Sequence, residues 1–190
     1  MNEEKVIKDK DIKIGFKPRT AILDVLVSTI LSGCYFLLSG NICETLQWFL
    51  IFIVLGYVSL VDIKLHLAPN WASCLIATAC IPSIVFTVIN KSWSNFIFMA
   101  AGAFIGFLPM FLGAVFSANG IGGADIKVMT AVGLSLGLFK TMIALIIGLL
   151  ISVIYMTVKA KKNKTGKKTN CALLPFLSVG IAVALFIPIS

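Results

Sequence analysis

Two acidic residues, Asp62 and Asp125, stand at the edges of long apolar runs, 63 positions apart. Asp62 closes the run LQWFLIFIVLGYVSLVD, and Asp125 opens ADIKVMTAVGLSLG just after the glycine-rich SANGIGG. An ionisable group at a membrane boundary needs a physical reason. A pair of carboxyls brought together supplies one, the chemistry of an aspartic protease. The ionised member activates water while the protonated one polarises a peptide carbonyl, and the two share a proton because both cannot easily ionise side by side. Such a pair titrates as a unit, so no separate roles are assigned. Gly122 and Gly123 would let an extended peptide lie close to Asp125. Near the start of a helix, Asp125 would also gain about 0.3–1 kcal/mol from free backbone N–H groups. The same residues admit a plainer reading. Acids at helix ends serve as caps, and Asp62 could pair with Lys64, and Asp125 with Lys127, at a wet interface.

The other polar residues offer less. Asp24 lies near the entrance of the first apolar run, as a boundary residue or a partner for a neighbouring helix, and Glu44 falls at the opposite end of the second run. His66 is the only histidine. With Lys64 it is a candidate substrate contact, but one histidine builds neither a metal site nor a Ser-His-acid triad. The H-E-x-x-H zinc signature is absent, so the expectation is no metal and no other cofactor. The five cysteines (34, 43, 74, 80 and 171) have no paired C-x-x-C spacing and lie mostly in apolar runs, where free cysteine packs as a small hydrophobe.

The elements that must carry these residues are membrane helices. Hydrophobic residues make up 59% of the 190, charged ones 13%, about half the share in a soluble domain, and the mean hydropathy is +1.03. Crossing a bilayer takes about 20 apolar residues, with about 17 near the minimum. Segments 21–40, 45–61, 71–89, 94–117, 139–158 and 171–189 qualify, and 126–137 is a shorter one. The first is too long, too late and too poor in a small-residue cleavage site for a removable signal peptide.

The net charge of +8 is clustered, with six basic residues in the first 19 positions and six lysines in 159–170. Flanking apolar runs, these clusters read as topology signals or contacts with anionic lipid heads. No aromatic-interleaved basic groove points to nucleic acid. Residues 1–19 are then a cytoplasmic tail, 20–190 a membrane-embedded domain, and 159–170 a basic cytoplasmic loop. If 126–158 formed one crossing, the lysine tract would fall outside. If 126–137 rises and 139–158 descends, with a break allowed by Gly133 and Gly137, the tract stays in the cytoplasm. The expectation is therefore six full spans plus one short helix, N-terminus inside and C-terminus outside. Asp62 and Asp125 then lie at the same depth on the cytoplasmic side. The short rise of about 12 residues covers roughly 18 Å and must be shielded by protein.

These residues resemble the type IV prepilin peptidases, aspartic proteases of the bacterial cytoplasmic membrane related to the preflagellin peptidases. The first family pattern reads VDIKLHLAPN here, matching Asp62, Pro69 and Asn70. The second, Gly-x-Gly-Asp with a lysine two residues on, reads GGADIK, matching Gly122, Asp125 and Lys127, with Ala124 where the pattern has glycine. A third, TNCALLPFLSVG, matches a final-helix signature at Pro175, Phe176 and Gly180. The resemblance covers about residues 45–190. It implies an all-α, GxGD-type aspartic protease fold with Asp62 and Asp125 catalytic. The implied substrates are prepilins or pseudopilins, cut after the glycine that ends a short basic leader. Larger members carry an added region with paired cysteines linked to N-methylation. Here only the short tail is present, so peptidase activity without methyltransferase activity is expected. Two alternatives stay open: a catalytically impaired pilin-assembly binding protein, suggested by Ala124, and a small transporter or channel subunit using Asp24 and Asp62.

Overall fold

The computed structural model describes residues 18–65, 70–90, 93–116, 122–162 and 172–187, which form helices and no strand. Residues 1–17 of the expected tail, most of the 159–170 loop, His66, Pro69 and Cys171 lie outside the described residues, while Pro18 and Arg19 belong to the first helix. Helix α1 runs Pro18–Ser39. Proline suits a helix start, where its missing N–H has no partner to lose. Gly40, at φ +67, ends the helix, its N–H reaching back to the Phe36 carbonyl at 2.9 Å, a turn that a residue with a Cβ resists. Helix α2 is Ile42–Leu65. The third apolar run divides into α3, Asn70–Ala79, and α4, Ile81–Ile89. Pro82 has no N–H for the Thr78 carbonyl, so the helix breaks at Cys80. Helices α5, Trp93–Phe116, α6, Gly123–Lys162, and α7, Leu174–Phe186, complete the chain.

Five stretches are long and apolar enough to cross a membrane: Ile22–Ser39, Ile42–Ile63, Trp71–Ile89, Trp93–Phe116 and Gly123–Lys159. This differs from the expected six full spans in one place: the last run shortens to the 13 residues of α7. The stretch labelled α6 is two helices joined across a kink, the first of them covering the expected short segment 126–137. At the kink Gly137 is non-helical, at φ 70 and ψ −179. Only glycine takes up that backbone without strain.

The contacts on either side of Gly137 show a reversal of direction. Gln47, 15 residues before Asp62 on α2, hydrogen-bonds Ser135 at 2.7 Å, whereas Asp62 itself lies near enough to Asp125 to act on its charge. The 123–136 part of α6 therefore runs antiparallel to α2. Beyond Gly137, Lys140 Nζ donates to the Leu185 carbonyl at 3.4 Å, and Tyr155 packs on Phe176 with ring centroids 5.1 Å apart. Since Leu174, at the start of α7, touches Asp62, residues 138–155 return toward the Asp62 end.

Small residues allow these helices to approach. A methyl group on Gly102 of α5 would run into the Gly133 carbonyl of α6, and one on Gly180 of α7 into the Ala144 carbonyl. Lipid offers no hydrophobic drive for helices to associate, so backbone proximity and dense contact hold such bundles together. Helix α1 shows the corresponding inversion of polarity. Ser28 and Ser32 are buried toward the bundle, while Ile30, Leu37 and Leu38 are exposed. Ile51, Leu55 and Val58 of α2, Ile76 of α3, Val128 and Met129 of α6, and Leu177 and Ile181 of α7 form the fully buried centre.

Candidate active site

Helix α2 carries Asp62 three residues before its end, and α6 carries Asp125 as its third residue. Both are buried, with exposures of 6% and 7%. Asp62 stands close enough to act on Asp125 electrostatically. Two buried carboxyls whose charges act on each other are a costly arrangement, and such arrangements cluster at functional sites.

Each carboxylate is held from its own side. Leu174 N–H, in the first turn of α7, donates to Asp62 Oδ2 at 3.3 Å. Asp125 takes a backbone hydrogen bond from Gly122, and its own N–H donates to the Gly122 carbonyl at 3.0 Å. This local turn folds the carboxylate back over the glycine, so a Cβ at Gly122 would stand 3.4 Å from Asp125 Oδ2. Space beside Gly123 is open to 4 Å. Ala124 is the second residue of α6 and helical; alanine is the best helix former, so the backbone there makes no demand for glycine. Lys127 is exposed one turn into the helix and engages a neighbour. Lys64 lies in the last turn of α2 and Asn70 opens α3, while His66 and Pro69 fall outside the described residues.

Asp24 does not join the pair. Its carboxylate lies over Gly56, where any side chain would collide with it, and Gly56 is six residues before Asp62, about 9 Å along the axis. Glu44 sits at the other end of α2, accepting from Tyr35 Oη at 3.0 Å and Asn41 Nδ2 at 3.3 Å. Among the described residues no group of three or more His, Cys, Asp or Glu stands ready for a metal.

Two features of the site escape sequence reading. One is the Leu174 N–H, a backbone group that no side-chain pattern announces. The other is Ser59, one turn before Asp62 and so on the same face. Its hydroxyl is the one buried side-chain polar atom without a hydrogen bond among the described residues. The sequence signal was a serine three positions from the acid in an otherwise apolar run.

The type IV leader peptidase family matches residues 49–157. That is more than half of the chain, and it includes both aspartates and the turn at Gly122. The chain belongs to the type IV leader peptidase family. No curated protein and no solved structure matches it. With five apolar helices able to span, this leader peptidase family member is a membrane protein. The family match stops before α7, so the helix whose N–H touches Asp62, and with it Pro175, Phe176 and Gly180, lies outside the matched stretch.

Proposed function

We propose that this family member is an aspartic endopeptidase of the bacterial cytoplasmic membrane, with Asp62 and Asp125 as its catalytic dyad. It removes the short basic leader from type IV prepilins or pseudopilins. The observation that carries the reading is that two buried carboxylates from segments 63 positions apart lie near enough for the charge of one to act on the other, both within the family-matched stretch. A capping role explains neither the burial of both nor their mutual approach.

In the proposed reaction the ionised carboxylate takes a proton from water as the water oxygen adds to the scissile carbonyl carbon. The protonated partner donates a hydrogen bond to the carbonyl oxygen. Collapse of the tetrahedral intermediate breaks the C–N bond, and a proton passes from the dyad to the leaving amine. The leader departs with a new carboxylate, and the apolar helix keeps the new amino terminus. No metal or cofactor takes part. The open space by Gly123 admits the extended junction after the leader glycine, and Lys64 and His66 are its proposed substrate contacts.

The six basic residues of 1–19 and six lysines of 159–170 support an orientation with the dyad end of the bundle in the cytoplasm and the C-terminus outside. The return of 138–155 toward the Asp62 end is compatible with it. Cleavage of co-expressed prepilins tests the function, comparing the parent with Asp62→Asn and Asp125→Asn in membranes of equal protein content. Processing is expected in the parent and in neither variant. If the well-expressed parent leaves several pilins from its own locus uncut, the protease reading fails and a pilin-binding role without cleavage takes its place.

A further inference from the structure

We infer that α7 is a positioning element of the active site: its Leu174 N–H orients the Asp62 carboxylate, and its close crossing on α6 sets the height of that N–H. The inference rests on the dyad reading above. It concerns a helix beyond the family-matched residues 49–157.

The first turn of a helix leaves its N–H groups without intrahelical partners. In α7 nearly all of them are accounted for. Pro175 has none, and the N–H groups of Phe176 and Leu177 both go to the Leu173 carbonyl, at 3.1 and 3.2 Å. Leu174 N–H is the donor left over, and it points to Asp62 Oδ2 at 3.3 Å. Leu174 is 1% exposed, so water does not compete for this bond. A donor to an ionised oxygen makes a stronger hydrogen bond than one between neutral groups, and it holds one carboxylate oxygen of Asp62 in place.

A 13-residue apolar helix has little of its own to fix its depth, and three contacts on α6 do so instead. A Cβ at Gly180 would collide with the Ala144 carbonyl. One at Gly148 would come within 3.0 Å of Leu177 Cα and 3.2 Å of the Phe176 carbonyl. At the far end Lys140 Nζ holds the Leu185 carbonyl, one of the last in α7. Moving α7 by one residue along its axis, about 1.5 Å, would carry Leu174 N–H out of reach of Asp62.

The test compares Leu174→Pro, Leu174→Ala and Gly180→Ala with the parent. Proline is tolerated at the first helical position; it removes the N–H and the leucine side chain and presses on the αR backbone of Leu173, while alanine keeps the N–H and loses only the side chain. The expected result for Leu174→Pro is a kcat about 10–100-fold below that of Leu174→Ala, the scale of a lost charged hydrogen bond, with KM within about threefold. Equal kcat for the two would overturn the inference. Where Leu174→Pro does not fold, Gly180→Ala decides, since it keeps every N–H but pushes α7 outward. A folded Gly180→Ala enzyme with parental kcat also overturns it. A second readout needs no cleavage and so stands even if the protease reading fails: hydrogen exchange at the Leu174 amide in the parent and in Asp62→Leu. Exchange about tenfold faster in Asp62→Leu, with Leu177 and Ile181 unchanged, supports the assignment. No change at Leu174, or a rise spread evenly over α7, rejects it.

Discussion

At the Gln47 end of the bundle a neutral amide is enclosed by partners, whereas at the Asp62 end two acids are enclosed against each other. Gln47 is 6% exposed. Its Nε2 donates to Ser135 Oγ at 2.7 Å, its Oε1 accepts from Ser83, and Cys80 Sγ lies 2.9 Å from Ser135 Oγ. This closed network ties α2, α4 and α6 together across the break at Cys80, and a satisfied network of this kind rigidifies a core. Asp62 and Asp125 receive backbone donors, but neither relieves the other's charge. Buried polarity therefore has two uses in one bundle. Where the partners are complementary it holds helices in register, and where they are alike it carries an energetic cost, which the proposed function assigns to chemistry.

The sharpest way to break the comparison is at the acids. Asp62→Asn and Asp125→Asn should each lower prepilin cleavage by about 10²–10⁴-fold, the scale of acid–base catalysis, while the melting temperature of the purified protein stays level or rises. A fall in melting temperature in both variants would mean that the acids are structural. The next largest effect should come from Gly133→Val. Its side chain would push on the Gly102 carbonyl and on Ala103 Cα, costing about 1–3 kcal/mol as overpacking does. This is read from denaturant unfolding in detergent, with cleavage falling only as the folded fraction falls. Gln47→Leu should cost about 0.6–1.7 kcal/mol, the range of interhelical hydrogen bonds in membranes, and lower kcat less than about threefold. A loss of activity as deep as that of the aspartate variants would erase the distinction between the two ends. The smallest effect should be that of Ala124→Gly. The position is already helical, so cleavage should change less than about twofold, within the scale of a helix propensity difference. A large gain would mean that the methyl group of Ala124 obstructs the substrate.

The proposed site was partly legible in the sequence. The edges of the apolar runs marked Asp62 and Asp125, and the lysine tract at 159–170 required that 126–158 not cross the membrane once. The non-helical Gly137 and the contacts on either side of it agree with that requirement. The division of 71–89 at Cys80 was not foreseen, although Pro82 was visible as its cause. The 13-residue length of α7 was also missed, because uninterrupted hydropathy carries no sign of where a helix stops.

By itself the sequence determined the class of molecule: apolar run lengths demand membrane helices, clustered lysines bias their direction, and two acids at the run edges mark the site proposed for the chemistry. These are local properties, each readable within about twenty residues because hydropathy and charge belong to side chains. Only the tertiary structure decided what meets what. The glycine contacts that let α5 and α7 approach α6, the carboxylate of Asp24 lying over Gly56, and the Leu174 N–H on Asp62, 112 positions away, all depend on backbone atoms. Every residue but proline offers that same N–H, so nothing in its type could announce which one would face the acid.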